Sequence, residues 1–558
     1  MSSVAETSAP AAATAPSTLG ERAERWALDL PGRIRALPYF APLAVVAVTF
    51  LVNVGIVLVM WGRLGYGAFD LTIFDQAVRN YSQFHLPYVP VKGAYAGTGV
   101  DFLQLGDHFS PINAVAAPLY WIWSDVRMLL FLQAALYAAA AGVIWAYAKD
   151  ALGRTSANFV GVAFGLSWGI QEATLVGYHE LDWAVLIVPL ALRRLQLGKP
   201  RQALAIACVL FLVKEEMGLV VAVFGLLLWL RGERRLAVVA AVSGVIWSAI
   251  AITVLVPKIG GMHNQYWSYN SLGKNPKQAG LHVLEHPLST LHLLVSNSDK
   301  QDLLIWLLAV SAGACLLSPI TLLVVPPLLL RMLSDTATYS EPKYHYNAPL
   351  MGILLLAGVE GVAKVMRWLD RVEAVGAIDG GLEVEPAEPA EPAEPAGSPE
   401  SAEPKQPGEL SKLFLRIWLA AITAVLVIGI QYHGYDTLTA TSSPAENAFR
   451  AAAKTAVAMI PENATVESES AIAVPLSART RNLVLAEPGK PHGSRWVVLG
   501  KASPIDWPWV SGSQVEKARR WYLAHGYVTR FSRDGVYVLY RTGPVPAGID
   551  NVWGQRPQ

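Results

Sequence analysis

Asp70 and Asp75 stand five residues apart in "GYGAFDLTIFDQAVRN", residues 65–80, directly after an unbroken apolar run. Four further polar breaks carry similar groups: Asp107-His108, His179-Glu180 with Asp182, Lys214-Glu215-Glu216, and Lys343-Tyr344-His345-Tyr346. Carboxylates and imidazoles can move protons, and lysines can neutralise a developing anion. Each member also has an ordinary reading. Asp70 fits an N-cap of the helix "LTIFDQAVRN", and Asp75 and Arg79 are i,i+4 neighbours that can form a plain ion pair. His108 and His179 each fit interfacial or core positions. "KEE" at 214–216 resists such a reading, because it interrupts a long apolar segment. There is no Gly-x-Ser-x-Gly elbow, Walker loop, dinucleotide fingerprint or Cys/His metal spacing. A divalent cation is the one cofactor left open.

The elements that must position these groups are membrane spans. The chain is 53% hydrophobic and only 16% charged, which places it in the membrane class. Its formal net charge of +1 gives no field that would argue for a nucleic acid partner. Cys208 and Cys315 lie in apolar runs and read as buried thiols. Residues 1–39 read as a disordered basic cytoplasmic N-terminus. A span needs about 20 apolar residues, and cytoplasmic loops collect Lys and Arg. The first span, 40–61, therefore puts "FDLTIFDQ" outside. Residues 111–123 are short and aromatic and read as a juxtamembrane helix. Spans at 128–147, 156–171 and 183–197 follow. Crossing the next segment, 203–233, in one helix would place three charges mid-bilayer, at roughly 8–10 kcal/mol. Basic flanks on both sides also demand an even number of crossings, so a hairpin with "KEE" at its outer turn is predicted. A span at 236–257, a hairpin of 303–317 and 319–333 bent at Ser318-Pro319, and spans at 348–363 and 413–431 bring the count to about eleven. On this topology every histidine and every ionisable cluster named above lies at or near the outer face.

A polytopic, mainly α transmembrane domain over 40–365 is thus expected. A linker, 366–412, carries four EPA repeats at 385–396 and reads as cytoplasmic. The tail, 432–558, reads as a small extracytoplasmic α/β domain. It offers a helix and strand in "FRAAAKTAVAMIPENATVESES", a strand in "SRWVVLGKA", a helix in "QVEKARRWYLAHG", and a hairpin turning on Asp534-Gly535.

"FDLTIFDQA", "GDHFSPINAVAAPLYWIW", "YHELDW", "KEEMGL" and "KYHY" resemble a bacterial and archaeal family of predicted membrane proteins, domain of unknown function 2079. That resemblance covers roughly residues 60–350, and "IPENATVESESAIAVPLSART" is similar to the family's outer domain. The family looks like a branch of the GT-C glycosyltransferases, which use polyprenyl-phosphate-linked sugars, and this implies that the transmembrane domain is GT-C-like. "DHFSPINAVAAPLYWIW" is similar to the His-Pro-Pro-Leu-Tyr segment of protein mannosyltransferases and aminoarabinose transferases. The resemblance implies a catalytic acid in the first outer loop. Relatives carry Asp-Glu there, whereas this chain offers Asp70 and Asp75. Gln76, His108, His179, Glu180, Lys214, Glu215, Glu216, Arg331, Lys343, Tyr344 and His345 are the expected substrate contacts. The implied partners are a polyprenyl-phosphate sugar and a glycan, lipid or protein acceptor in the cell envelope. Two other classes fit the composition: a transporter or lipid flippase, and a non-catalytic envelope-assembly protein.

The Lys/Arg asymmetry generates a topology test. In a cysteine-free background, Ser513→Cys should be labelled by an impermeant thiol reagent in intact cells and Ser398→Cys should not. Labelling at 398 from outside would invert the assignment.

Overall fold

The structure, a computed structural model, describes residues 40–261, 267–379, 407–485, 492–501 and 512–545. The N-terminal segment and the EPA repeats lie outside the described residues, as does most of the aromatic loop segment "HNQYW".

Helix α1 (Phe40–Gly62) is apolar along its length and leads through a short turn into α2 (Ala68–Ser82), the first polar helix. Residues 111–123, expected as one juxtamembrane helix, form a 3-10 turn at 111–116 and a short helix at 117–122. Next come α3 (Arg127–Leu152), α4 (Arg154–Gly165), α5 (Trp168–Val176) and α6 (Asp182–Gln196). The segment around "KEE" is broken as its charges require. Helix α7 (Pro200–Ala207) passes into a 3-10 turn at 208–212, and α8 (Met217–Leu230) begins only after Glu216. Helix α9 (Arg234–Ile250) lies against α8. After α10 (Val325–Met332), α11 (Ala348–Asp379) runs through the middle of the helical body. The chain also breaks at Ser318-Pro319, between two 3-10 turns. Helix α12 (Glu409–Tyr432) packs on the outside of the body.

Six described segments are long and apolar enough to cross a membrane: 40–62, 127–152, 154–176, 234–260, 345–375 and 409–432. About eleven were expected. The difference lies in segments such as α6 with 15 residues, α8 with 14, and α7 and α10 with 8 each. Being interrupted by turns, these fall short of the roughly 20 residues that a straight crossing needs.

Small residues set the α8–α9 approach. A Cβ on Gly244 would collide with the carbonyl oxygen of Gly218, and one on Gly225 would come within 2.7 Å of the Ala237 carbonyl oxygen. Such contacts let backbones touch where bilayer lipid gives little hydrophobic drive to associate. They also fix the height of "KEE", because Ser248 on α9 donates its hydroxyl to the Glu215 carbonyl at 2.8 Å.

The tail holds α13 (Pro444–Met459), α14 (Ser470–Ser477), α15 (Gly512–Ala524) and a five-stranded sheet. The strands are β1 (Thr465–Ser468), β2 (Arg481–Val484), β3 (Trp496–Gly500), β4 (Tyr527–Arg533) and β5 (Val536–Arg541), in the order β2-β1-β3-β5-β4. Strand β1 pairs parallel with β2 and β3, while β5 runs antiparallel to β3 and β4. Asp534 and Gly535 both have positive φ, the geometry of the tight hairpin expected there. Helix α13 starts with a capping box between Ser443 and Glu446.

Gly244→Val should push α8 and α9 apart. Overpacking of this kind costs about 1–3 kcal/mol, so a lower Tm in detergent is expected, with Gly244→Ala in between. An unchanged Tm for the valine variant would contradict the close approach.

Candidate functional site

Helix α2 starts two residues before Asp70. Its N-cap is Gly67, which has no side chain to offer, so Asp70 lies inside the first turn and is not the N-cap the sequence suggested. The first amide is satisfied from elsewhere: the Ala68 N–H donates to Ser470 Oγ on α14 at 3.0 Å. Asp75 is fully buried and engaged, accepting from Arg79 at 2.9 Å and from the Tyr120 hydroxyl at 2.7 Å. Asp70 is half-buried, and among the described residues its carboxylate makes no hydrogen bond or ion pair. Burial raises its pKa; the nearby charge of His179 works against that rise, while Glu180 and Asp107 add to it. A carboxyl moved toward neutrality is a stronger base than an exposed one.

The other polar breaks meet in one ionic cluster. Lys214 Nζ lies 3.3 Å from Glu180 Oε1 and 3.7 Å from Glu216 Oε1. His179 Nδ1 lies 2.9 Å from Glu180 Oε2, and the His179 ring stacks on His345 at 3.6 Å. Glu215 lies 2.8 Å from His108 Nδ1 and accepts the Phe109 N–H at 3.0 Å. Burial alone would raise Glu180, but His179 and Lys214 outweigh it and hold its carboxyl well below the usual range. Burial would likewise lower Lys214, yet Glu216, Glu180 and Glu215 hold its ammonium well above normal. Glu216 differs from its two neighbours. Burial raises it, and Lys214 does not fully compensate.

The remaining expected contacts divide. Arg331 is buried and, among the described residues, donates to neutral acceptors: the Tyr339 carbonyl at 2.9 Å, the Tyr346 carbonyl at 3.4 Å and Asn347 Oδ1 at 2.9 Å. Among the described residues its Nη2 is buried without a hydrogen-bond partner, and so are both ring nitrogens of His345. Lys343 is exposed, and among the described residues it does not join the cluster. Tyr344, at φ +69°, packs edge-on to Tyr346. Gln76 is a bridge between units rather than a free contact. It accepts the Val91 N–H and donates to the Asn482 carbonyl in β2, both at 3.1 Å.

Sequence reasoning passed over Lys92, which pairs with Asp107 at 2.8 Å and lies 5.2 Å from the Phe69 ring centroid. It also passed over Tyr339, whose electrostatic neighbours include Lys214, Glu216, Lys92 and Asp70. A lone lysine in "VPVKGAY" carries little signal. Its place opposite Asp107 depends on how the loop folds back. Among the described residues no group of three His, Cys, Asp or Glu side chains is arranged to hold a metal ion.

A mainly helical body with several crossing-length apolar helices and a buried ionic cluster at their ends defines a polytopic membrane protein. More narrowly, the chain belongs to the family of predicted membrane proteins DUF2079, whose model matches residues 61–377. No curated protein matches it. Among solved structures it is similar to ArnT from Cupriavidus metallidurans bound to undecaprenyl phosphate, with a TM-score of 0.46 and 12% identity over 89% of this chain and 98% of that one. It is also similar to the Archaeoglobus fulgidus oligosaccharyltransferase AglB, solved with an inhibitory peptide and a dolichol-phosphate, with a TM-score of 0.41 and 11% identity over 92% and 76% of the two chains.

Lys214→Met should leave Glu180 with His179 as its remaining ion-pair partner. Removing one member of a buried pair costs about 3–5 kcal/mol, so a large drop in Tm at neutral pH is expected. The pH dependence follows from the sign of the Glu180 shift. A depressed carboxyl contributes stability that is present above its unfolded value, near 4.5, and is lost as pH falls through the folded value. The deficit of the variant should therefore shrink in acid. A constant deficit from neutral to acid pH would place the loss elsewhere.

Proposed function

We propose that this protein is an integral membrane glycosyltransferase that moves a sugar from a polyprenyl-phosphate donor to a cell-envelope acceptor on the outer face. Asp70 is the general base in this reading. The observation that carries it is the contrast between the two first-loop acids: Asp75 is consumed by Arg79 and Tyr120, while Asp70 stays uncommitted beside the ionic cluster. Asp70 takes the proton of the acceptor hydroxyl as that oxygen forms a bond to the anomeric carbon. The bond from that carbon to the phosphate oxygen breaks, and its electron pair leaves with the polyprenyl phosphate. Lys92, Lys214 and the spare Nη2 of Arg331 are the cations that would receive the new charge. A donor whose tail lies in the bilayer explains why the base follows directly on an apolar helix. The outer placement of the tail domain and the cytoplasmic placement of the EPA linker belong to the same reading.

The test compares purified Asp70→Asn and Asp75→Asn with a polyprenyl-phosphate sugar donor. Asp70→Asn should keep its Tm and lose transfer by about 10²–10⁴-fold, the usual contribution of a positioned base. Asp75→Asn should mainly lower the Tm, since it weakens charge-assisted hydrogen bonds worth about 1.5–3 kcal/mol. Because Asp70 is shifted upward, the acid limb of the rate profile should lie above the ordinary carboxyl value of 3.8. Near-normal turnover in Asp70→Asn would remove it from the mechanism.

A further inference from the structure

Helix α1 presents a continuous exposed stripe. Leu43, Ala47, Leu51, Leu58 and Gly62 recur at four- and seven-residue intervals, one face of a helix. A stripe like this on a crossing-length apolar helix faces lipid chains. At its upper end the stripe does not meet solvent. It runs into a cavity of about 200 Å³ between the α1–α2 turn and the tail domain. Gly62, Leu64 and Tyr66 form one wall, and Ala453 and Val457 of α13 with Val474 of α14 form the other. A Cβ on Gly62 would have nothing within 4 Å, so the mouth on the α1 side is open.

The lining is apolar, and its phenol is already used, since the Tyr66 hydroxyl donates to the Thr174 carbonyl at 3.1 Å. A cavity of this character holds hydrocarbon more readily than water; an apolar hole of about 150 Å³ accepts benzene. One charged side chain lines it. Lys454 is exposed, and among the described residues it makes no ion pair or hydrogen bond. The level of the mouth also fits a headgroup. The Arg127 guanidinium lies over the Trp61 ring at 5.0 Å, and tryptophan with cations at the end of an apolar helix is the pattern of a membrane interface.

We infer that this cavity is a lipid site: an acyl chain of an anionic phospholipid leaves the α1 stripe and turns its end into the cavity, with the headgroup at the rim, held at Lys454. The lipid would then be part of the seam between the helical body and the tail domain. The inference does not depend on the transfer reaction.

The test uses the full chain purified in detergent. Native mass spectrometry would compare retention of phosphatidylglycerol and phosphatidylcholine with identical chains, alongside crosslinking by phosphatidylglycerol carrying a photoreactive acyl end. Phosphatidylglycerol should be retained several-fold over phosphatidylcholine, and the crosslinks should concentrate on peptides from α13 and α14. Lys454→Glu should abolish the headgroup preference. Gly62→Phe, whose ring enters open space, should cut the crosslinking at least tenfold. If Gly62→Phe fails to accumulate, the label map and Lys454→Glu decide alone. Crosslinks spread over the apolar helices without enrichment at α13 and α14 would overturn the site. So would displacement by undecaprenyl phosphate but not by excess phosphatidylglycerol, which would assign the cavity to a polyprenyl chain.

Discussion

The rest of this structure depends on one buried ammonium. Lys214 is only 6% exposed, and three carboxylates and two imidazoles are arranged around it and around one another. Leaving Lys214 without partners would carry a large desolvation penalty, and the same holds for Glu180, which is fully buried. The two can be buried only together, so their parent segments must meet. That requirement brings the loop before α6 against the break before α8. Through Glu215 and His108 it also draws in the segment that follows α2. Buried ion pairs add little net stability compared with an apolar core, and their clearer effect is to reject arrangements that separate the partners.

The local parts of this arrangement were legible in the sequence. The break at "KEE" followed from the price of three charges in a bilayer, and the chain does break there. The Asp75–Arg79 pair followed from helical spacing, and the Asp-Gly hairpin from turn chemistry. What could not be read are features set by distant partners. Asp70 looked like an N-cap because a capping residue was expected within the same segment. The capping oxygen belongs instead to Ser470, and that releases Asp70 from the task. Gln76, an expected substrate contact, bridges α2 to β2, a partner the sequence does not point to. The stacking of His179 on His345 joins residues that no periodicity links. Six described helices reach crossing length where hydropathy counts about eleven apolar runs, since apolar composition is the same in a helix of 8 residues and one of 25.

The tail domain is joined to α2 and the loop after it by more than a cap. Ala473, Val474 and Val484 share an apolar cluster with Leu71, Phe74 and Ala77 of α2. His492 reaches the Ala94 carbonyl at 3.2 Å. Glu467 supports this edge from inside the domain, accepting the His492 and Ser494 amides and the Tyr522 hydroxyl. The helix that bears Asp70 is thus held on one side by the helical body and on the other by residues some 400 positions later in the chain.

That separation has a consequence in time. Ala68 and Ser470 are 402 residues apart, and ribosomes add about 5–20 residues per second. For roughly 20–80 seconds, helix α2 exists without the hydroxyl that completes its opening turn and without the apolar face that covers it. Throughout that interval the apolar helices can insert and pack, but the carboxylate of Asp70 has no fixed bearing. Residues made some 400 positions later finish the opening turn of α2, so a nascent chain stopped before residue 470 would carry all six described helices of crossing length and still lack a settled site.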